Sequence, residues 1–461
     1  MKQAGPVRPA RGQYTSSSTG CIVPVVSPPR NGLGGVRVRR LPGAGVGRAE
    51  TAPDTPPASR YLEEMPTVAD LTISARARSI KPSATLAVGM KAKELRGQGV
   101  EVLSFAAGEP DFKTPAAVCE AAKAAIDAGE HGYAPVPGDA KTRGVIAEKL
   151  AHENGLPGVT AEHIVVSPGG KQSLYLAFQA LLDTPGHGPE AGAIEGGEVL
   201  LPVPAWVSYR PQIELAGGRV VDLETSPATD FKITPDQLRG AITPRSRVLV
   251  LNSPSNPCGT MYSEAELREI ARVVAEAAGS VAPGLVVVTD EIYEKLVFGG
   301  IEHFSIGSVS EIAERTVTIN GLSKSYAMTG WRVGYLAGSG EFGKRLATAC
   351  KTLQSQLNTA IPSFILPAAR VALTECAGDV ERMRAAFAER AKIMHGALCE
   401  IPGVSCPTPT GAFYAFCDVS SAFGKTSAGG AAVSSAMDFA AALLGEHHVA
   451  VVPGEDFGGC G

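Results

Sequence analysis

Short apolar runs, each followed by a polar segment, recur along the middle of the chain. The runs are rich in Val, Ile and Leu, as is typical of buried strands, and helix-like stretches separate them. The polar segments that follow four of them are 168–173, 252–259, 290–293 and 320–332. In open α/β sheets, ligands bind outside the carboxyl ends of the strands. Four polar segments at such positions therefore predict a ligand site along one edge of a sheet.

The same alternation predicts the domain organisation. Residues 117–355 are expected to form a large α/β domain around a mostly parallel seven-stranded sheet. Segments 70–116 and 356–461 are expected to build a smaller α+β domain from both ends of the chain. A helix is predicted over 378–398, because Met383, Phe387, Ala391 and Met394 share one face.

The N-terminal segment 1–65 differs in kind from the rest. Residues 1–49 contain Lys and Arg but no Asp or Glu, and they show neither a helical nor a strand period. A segment of this composition cannot bury a core. It predicts an organellar transit peptide, with a merely disordered tail as the alternative. Composition alone does not distinguish a plastid transit peptide from a mitochondrial one.

Composition limits the remaining function classes. The chain has 461 residues, 44% of them hydrophobic, and a net charge of −4. It therefore lacks the excess of positive charge that indicates nucleic-acid binding. No uninterrupted apolar run is long enough to span a bilayer. The 9 cysteines include no C-x-x-C pair, which argues against a zinc site or a disulfide framework and favours a reducing compartment. No metal site is expected.

Lys324 and Arg332 suggest a cofactor. An amine at a strand end can form a Schiff base with an aldehyde, and an arginine nearby can hold a phosphate by a planar, bidentate contact. Pyridoxal 5′-phosphate carries both groups. For Lys324 alone, an exposed lysine at the start of a helix is the simpler alternative.

Two further segments offer chemistry that suits this cofactor. Gly170 and Lys171 open a helix-like stretch whose free N–H groups would suit an anion, although an ordinary turn is the simpler interpretation. Asp290 could pair with a protonated pyridine nitrogen and keep the ring electron-withdrawing. Its alternative role is the N-cap of a helix.

Three more side chains could contact the ring. Asn256 and Tyr293 could donate hydrogen bonds to a phenolate oxygen, and Trp206 could stack on an aromatic cofactor. A turn asparagine, a packed tyrosine and a core tryptophan are the structural alternatives.

Taken together, these motifs resemble a known family. The order Gly-Gly-Lys, Trp-Val-Ser-Tyr, Asn-Pro-x-Gly, Asp-Glu-Ile-Tyr, Ser-Lys and Met-Thr-Gly-Trp-Arg is similar to that of the fold-type I pyridoxal-phosphate aminotransferases. Within them the chain resembles the bacterial-type aspartate aminotransferases and the plastid prephenate aminotransferases. The resemblance runs from about Ser74 to Phe457 and includes the segments 104–112 and 411–414.

The resemblance implies a role for each matching residue. Lys324 would carry the cofactor as an aldimine and move the substrate's α-proton. Asp290 would pair with the pyridinium nitrogen, and Trp206 would stack on the ring. Contacts to the ring oxygen would come from Asn256 and Tyr293, and contacts to the phosphate from Gly170, Lys171, Ser323 and Arg332.

The resemblance also implies substrates, a partner and a location. Gly108, Lys81 and Thr85 match substrate-contacting positions, as do Trp206 and Asn256, and a cation there suits a second carboxylate. Tyr133 resembles a tyrosine that reaches the phosphate of a neighbouring subunit, which implies a homodimer with shared sites. The implied reaction moves an amino group between aspartate or glutamate and a keto acid, namely prephenate, oxaloacetate or 2-oxoglutarate. The prephenate-type resemblance favours a plastid, with the mitochondrion as the alternative.

One departure from the family pattern concerns the C-terminal segment. In the family, the segment that resembles 449–457 is followed by a strand with an arginine that binds the substrate's α-carboxylate, whereas this sequence ends at Gly461. The expectation is that the chain as given binds the cofactor but catalyses poorly. A cofactor-binding, catalytically impaired protein and another fold-type I reaction, such as that of a β-lyase, are the alternatives.

Overall fold

A computed structural model describes residues 72–80, 84–106, 108–183 and 196–458, without the side chains of residues 84–87. The chain divides into two units, Met1–Thr72 and Ile73–Gly461, and every element below belongs to the second. The predicted transit peptide, 1–65, lies outside the described residues. Within them, no helix combines the length and the apolar character needed to cross a membrane.

Helices and strands alternate through most of the described chain. The α-helices are α1 (Ala75–Ser79), α2 (Ala84–Gly97), α3 (Ala116–Asp127), α4 (Ala140–Glu153), α5 (Gly170–Leu181), α6 (Tyr209–Leu215), α7 (Pro235–Ala241), α8 (Glu264–Ala278), α9 (Gly340–Leu357), α10 (Ile365–Glu375), α11 (Ala377–Cys399) and α12 (Ala436–His447). The strands are β1 (Leu103–Ser104), β2 (Ile164–Pro168), β3 (Glu198–Val203), β4 (Arg219–Glu224), β5 (Ser246–Asn252), β6 (Val286–Asp290), β7 (Thr316–Gly321), β8 (Val333–Gly338), β9 (Lys425–Thr426), β10 (Ala432–Val433) and β11 (Val449–Ala450).

Seven strands form one sheet in the order β2-β8-β7-β6-β5-β3-β4. Strand β8 runs antiparallel to its neighbours β2 and β7, and the other pairs are parallel. The predicted α/β fold with a mostly parallel seven-stranded sheet is therefore confirmed. The helix predicted over 378–398 corresponds to α11.

The central strands are apolar because both faces of the sheet are covered. On β5, Val248 and Val250 pack into one apolar cluster, whereas Leu249 and Leu251 pack into another. Successive residues of a strand point to opposite faces, so a strand buried on both sides is continuously apolar. This double burial fixes the strand register, and with it the positions of the polar residues at the strand ends.

The two ends of the described chain meet in a small two-stranded sheet. Strand β1 pairs in parallel with β11, with Leu103 opposite Val449. Ala92, Val102 and Ala450 form a small core beside this pair. This contact joins the segments expected to make the smaller domain, while the domain boundaries at 116/117 and 355/356 stay predictions.

Candidate active site

The carboxylate of Asp290 is held at the end of β6, beneath the surface of the sheet edge. Asp290 lies opposite Asn252 in the β5–β6 register, and the Asn252 side-chain amide donates to the Asp290 carbonyl at 2.9 Å. The Tyr209 hydroxyl donates to Oδ2 at 2.8 Å, and the Ile292 N–H donates to Oδ1 at 3.2 Å. A turn rather than a helix follows Asp290, so the alternative role as a helix N-cap is not realised.

Burial controls the charge of this carboxyl. Burial raises the pKa of Asp290 to about 6, while the Tyr209 and Ile292 hydrogen bonds and the charge of Lys324 act in the opposite direction. A buried carboxylate with this pKa is mostly ionised at neutral pH and gains from a cationic partner. It thereby suits a protonated ring nitrogen.

Lys324 follows β7 in a turn, with its amine inside the cavity. Its Nζ donates to the carbonyl of Gly108 and lies 5.5 Å from the ring centroid of Phe413. Burial, together with the charge of Arg332, lowers the pKa of the Lys324 ammonium to about 8, while the carboxylates of Glu109 and Asp290 act in the opposite direction. An amine with a lowered pKa is a nucleophile near neutral pH. The alternative of an exposed lysine that starts a helix does not hold.

A positive region lies at the start of α5. Gly169 precedes the helix with φ +88°, and a Cβ on it would lie 2.5 Å from a guanidinium nitrogen of Arg332. A Cβ on Gly334 would lie 2.2 Å from the backbone nitrogen of Gly170. Both positions therefore require glycine. Because a helix N-terminus attracts anions and Arg332 adds a planar cation, this cradle fits a phosphate.

The N–H groups at the start of α5 also suit an anion. Gln172 and Ser173 donate to the carbonyl of Gly169. In the described part of the chain, the N–H groups of Gly170 and Lys171 have no such acceptor. Arg332 itself is exposed and donates to the Pro168 carbonyl at 3.3 Å. Free donors remain here for a phosphate.

Three side chains meet on the other side of the cavity. The hydroxyl groups of Tyr293 and Tyr414 lie 2.6 Å apart. The Asn256 side-chain amide donates to the Tyr414 hydroxyl at 3.1 Å and to the Tyr293 hydroxyl at 3.5 Å. Burial raises the pKa of both phenols, so both stay protonated donors at neutral pH. They suit a negatively charged ring oxygen.

Trp206 lies at the edge of the same cavity. The Nζ of Lys171 lies 4.9 Å from the centroid of its ring, and Tyr209 packs edge-on against it at 5.3 Å. Burial, followed by the charge of Arg332, lowers the pKa of Lys171. The amine of Lys171 thus faces the cavity from the phosphate side.

One cavity of about 1380 Å³ collects most of the predicted residues. Its lining includes Gly108, Gly170, Lys171, Trp206, Asn256, Asp290, Tyr293, Ser323, Lys324 and Arg332. Tyr133 is outside this lining and 95% exposed. Lys81 lies outside the described residues, and Thr85 lies in α2 with its side chain outside the description.

Two tyrosines of the site had no predicted role. Tyr209 closes the Trp-Val-Ser-Tyr motif, and Tyr414 closes Gly-Ala-Phe-Tyr, so both motifs were visible in the sequence. The sequence alone did not place their hydroxyl groups on Asp290 and Tyr293. Those contacts join segments that are far apart along the chain.

A buried ionic network supports the segment between Asp290 and Tyr293. Glu294 pairs with Lys149, and the Asn154 amide donates to Glu291 at 2.9 Å and to Glu294 at 2.7 Å. Burial and the charge of Glu294 raise the pKa of Glu291 to about 8. Burial also acts to raise the pKa of Glu294, but Lys149 and neighbouring cations lower it to about 2. The network anchors the turn that presents Asp290 and Tyr293.

Comparison with known proteins places this site in a family. Residues 100–460 match the model of the aminotransferase class I and II family. An aspartate aminotransferase of Geobacillus stearothermophilus is 42% identical over 389 residues, which cover 84% of this chain and 92% of that protein. A bifunctional aspartate aminotransferase and glutamate/aspartate-prephenate aminotransferase of Petunia hybrida is 40% identical, over 84% of this chain and 78% of its own length.

The fold agrees with solved structures. The aspartate aminotransferase of Thermus thermophilus, solved with maleate, superposes with a TM-score of 0.74 at 40% identity, over 84% of this chain and 92% of that one. An aspartate aminotransferase from Rhizobium meliloti gives a TM-score of 0.77 at 35% identity, over 84% and 92% of the two chains. The resemblance drawn from the motifs is therefore confirmed, and the chain belongs to the class I and II aminotransferases and is an aminotransferase of fold-type I.

Proposed function

We propose that this aminotransferase holds pyridoxal 5′-phosphate on Lys324 and transfers an amino group between aspartate or glutamate and a keto acid. The observation that carries the proposal is one cavity that contains a buried amine, a buried carboxylate and a cationic helix N-terminus. Prephenate, oxaloacetate and 2-oxoglutarate are the acceptors to be tested. The printed names of the relatives, which include aspartate and aspartate/prephenate aminotransferases, support this choice.

The residues that would hold the cofactor fall into groups, and each group suits one part of the cofactor. The N–H groups of α5, the Ser323 hydroxyl and Arg332 would hold the phosphate. Asp290 would hold the ring nitrogen. The ring face would lie against Trp206, and the hydroxyl of Tyr293, with Asn256, would donate to the ring oxygen.

Lys324 would both attach the cofactor and move the proton. When bound, the cofactor supplies an aldehyde carbon and an electron-withdrawing ring. The neutral Nζ of Lys324 would take the proton from the α-carbon of the amino acid and deliver it to the carbon that the cofactor's aldehyde supplies. Since the pKa of Lys324 is lowered to about 8, a useful fraction of this amine is unprotonated near neutral pH.

Asp290 would supply the charge that makes the ring effective. Its ionised carboxylate would keep a proton on the ring nitrogen, and its position is fixed by Tyr209 and by the backbone of Ile292. The buried setting strengthens this electrostatic effect because little water screens it.

A second carboxylate on the substrate would meet a cation. The amine of Lys171 faces the cavity beside Trp206, and Lys81 and Thr85 are further candidates on the sequence resemblance alone. Gly108, whose carbonyl accepts from Lys324, would contact the substrate near the reacting carbon. Such a site favours dicarboxylic donors over alanine or leucine.

We also propose that the protein is a homodimer and that its N-terminal segment directs it to an organelle. Tyr133, 95% exposed in the single chain, is available to reach the phosphate of a second copy in a homodimer. Sedimentation of the loaded protein as a monomer at micromolar concentration would exclude this arrangement. Residues 1–65 are proposed to direct the chain to a plastid, with mitochondria as the alternative. The compartment that a 1–65 fluorescent-protein fusion enters decides between them.

A half-reaction assay tests the function directly. The loaded protein is mixed with aspartate, glutamate, alanine or leucine, and conversion of the cofactor to its amine form is followed by absorbance. The acidic donors are expected to react fastest, and prephenate, oxaloacetate or 2-oxoglutarate should restore the starting spectrum. Release of ammonia without conversion of the cofactor would point instead to a lyase, and no change with any donor would refute the proposal.

Lys171→Met tests the choice of substrate. It removes the cation while keeping a long apolar side chain, so aspartate should lose more reactivity than alanine. Equal losses for both donors would show that Lys171 does not bind the second carboxylate.

A further inference from the structure

Two cysteines face each other across a hairpin that borders the active-site cavity. Ser405 and Asp418 form an antiparallel bridge in which each N–H donates to the other's carbonyl, at 3.3 and 2.8 Å. The adjacent pair toward the turn of the hairpin is Cys406 and Cys417. In an antiparallel ladder this next pair is the closer, non-hydrogen-bonded kind, with Cα atoms typically about 4.5 Å apart. That spacing falls within the range of about 4.4–6.8 Å that a disulfide needs.

Side-chain contacts agree with this register. The Cys417 thiol and the backbone of Phe416 donate to the Cys406 sulfur, and the Cys406 thiol donates to the Pro407 carbonyl at 3.5 Å. Both cysteines are free and only partly buried. Cys417 also lines the cavity, so small molecules can reach it.

The two thiols differ in chemistry. The hydrogen bond from Cys417 lowers the pKa of Cys406, while the same bond and burial raise the pKa of Cys417. Thiolates are the attacking species in thiol–disulfide exchange. Cys406 is accordingly the thiol that reacts first, and Cys417 is placed to react second.

A metal site is the competing use of such a cluster. Cys399 lies 3.5 Å from the imidazole of His395, which also contacts the Cys406 carbonyl at 3.0 Å. Among the described residues, however, the one group of three His, Cys, Asp or Glu side chains whose ligand atoms all lie within 4.8 Å is Glu291, Glu294 and His303. The cysteines are therefore arranged as a pair rather than as a chelate.

We propose that Cys406 and Cys417 form a reversible disulfide across this hairpin. With a small disulfide such as oxidised glutathione as oxidant, the Cys406 thiolate attacks one sulfur and releases one thiol. Cys417 then loses its proton to water and attacks the Cys406 sulfur, which releases the second thiol. One disulfide and two protein thiols thus become one protein disulfide and two small thiols.

The bond would tie together the base of a loop that contributes to the active site. Thr410 and Gly411 donate to the Gly259 carbonyl at 2.8 and 3.0 Å. Tyr414, between the two cysteines, contacts Asn256 and Tyr293. Oxidation is therefore expected to make this loop more resistant to opening, because the loop ends can no longer separate.

Thiol mapping on the full chain tests the proposal. The protein is incubated with oxidised glutathione or with dithiothreitol, quenched in acid, denatured, alkylated and digested. After oxidation, the peptides with Cys406 and Cys417 should appear as one linked species, and after dithiothreitol both should be alkylated. Two separately alkylated or glutathionylated cysteines, or a link from either one to any other cysteine, would overturn the proposal.

Single substitutions assign the order of reaction. Cys399→Ser should keep the link, since Cys399 takes no part in it. Cys417→Ser should stop at a mixed disulfide between glutathione and Cys406. Lys324→Ala should form the link normally, so failure of the disulfide and failure of the proposed transamination are separate results.

Discussion

Two walls of the active-site cavity are built in different ways. The sheet wall consists of Asn252 and Asp290, which end two neighbouring strands of a sheet buried on both faces, and of Lys324, which follows the next strand. The loop wall consists of Gly108 and the 409–418 segment, which rest on short strands and on hydrogen bonds to Gly259. On the sheet wall, register fixes position. On the loop wall, individual polar contacts do so.

The difference indicates a division of labour. Groups that must keep a set charge lie on the rigid wall, where burial raises the pKa of Asp290 and lowers that of Lys324. The loop wall adds donors such as Tyr414 and the thiol pair, whose positions depend on individual hydrogen bonds to neighbouring segments. We therefore expect changes on the sheet wall to affect chemistry most and changes on the loop wall to affect positioning.

The largest effect is expected for Lys324→Ala. This change removes the proposed point of attachment and the base, and loss of a proton-transfer group alone typically costs about 10²–10⁴ in rate. Steady-state transamination of aspartate measures it. Lys351→Ala, at an exposed position of α9, should leave the rate unchanged. A Lys324→Ala enzyme with nearly full activity would contradict the role assigned to the sheet wall.

Asp290→Asn should have the next largest effect. The amide cannot keep the ring nitrogen protonated, and a loss of one to three pKa units of stabilisation corresponds to about 10- to 1,000-fold in rate. Tyr209→Phe removes only a hydrogen bond that favours the charged form, so it should raise the pKa of Asp290 and move the acid limb of the pH–rate profile to higher pH. An unchanged rate for Asp290→Asn would leave this carboxylate a purely structural role.

Tyr414→Phe should act more weakly and differently. Its hydroxyl contacts Tyr293 and Asn256, so its loss should loosen the donors around the ring oxygen. The expected result is a several-fold weaker affinity for the cofactor, since a neutral hydrogen bond is worth about 0.5–1.5 kcal/mol. Equilibrium titration of the cofactor-free protein measures it. If Tyr414→Phe lowered the transamination rate more than Asp290→Asn does, the loop wall rather than the sheet wall would matter most for chemistry.

Glu291→Gln should change stability rather than rate. With its pKa raised to about 8 from 4.5, folded Glu291 keeps a proton that the unfolded chain releases, so the free energy of unfolding falls as pH rises between these values. The variant should lose less stability than the wild type between pH 5 and 9, by about 1 kcal/mol or more. Urea unfolding of the cofactor-free protein at several pH values measures it. The exposed pair of Glu120 with Lys123 provides the control, as Glu120→Gln should not alter this dependence.

The sheet wall was predictable from the sequence because its pattern is local. A continuous apolar run ending in Asp290 or just before Lys324 places both at the sheet edge without knowledge of distant contacts. The seven-stranded sheet followed from the same alternation. The family resemblance assigned the roles, and the cavity lining brings ten of those residues together.

The other contacts were not predictable, because they depend on packing between distant segments. Tyr414 reaches Tyr293 from a loop with no periodic pattern, and Lys149 enters the Glu294 network from α4. Likewise, the pairing of Cys406 with Cys417 depends on the hairpin register. A search for C-x-x-C spacing does not detect such a pair.

The most direct test of the account is to identify the lysine that binds the cofactor. Pyridoxal 5′-phosphate is added to the cofactor-free protein, the mixture is reduced with borohydride, and the digest is analysed by mass spectrometry. We expect the cofactor's mass on the peptide with Lys324, and we expect the rate of capture to rise through about pH 8 as the amine loses its proton. Specific labelling of Lys171 or any other lysine in place of Lys324, or no labelling at all, would contradict it.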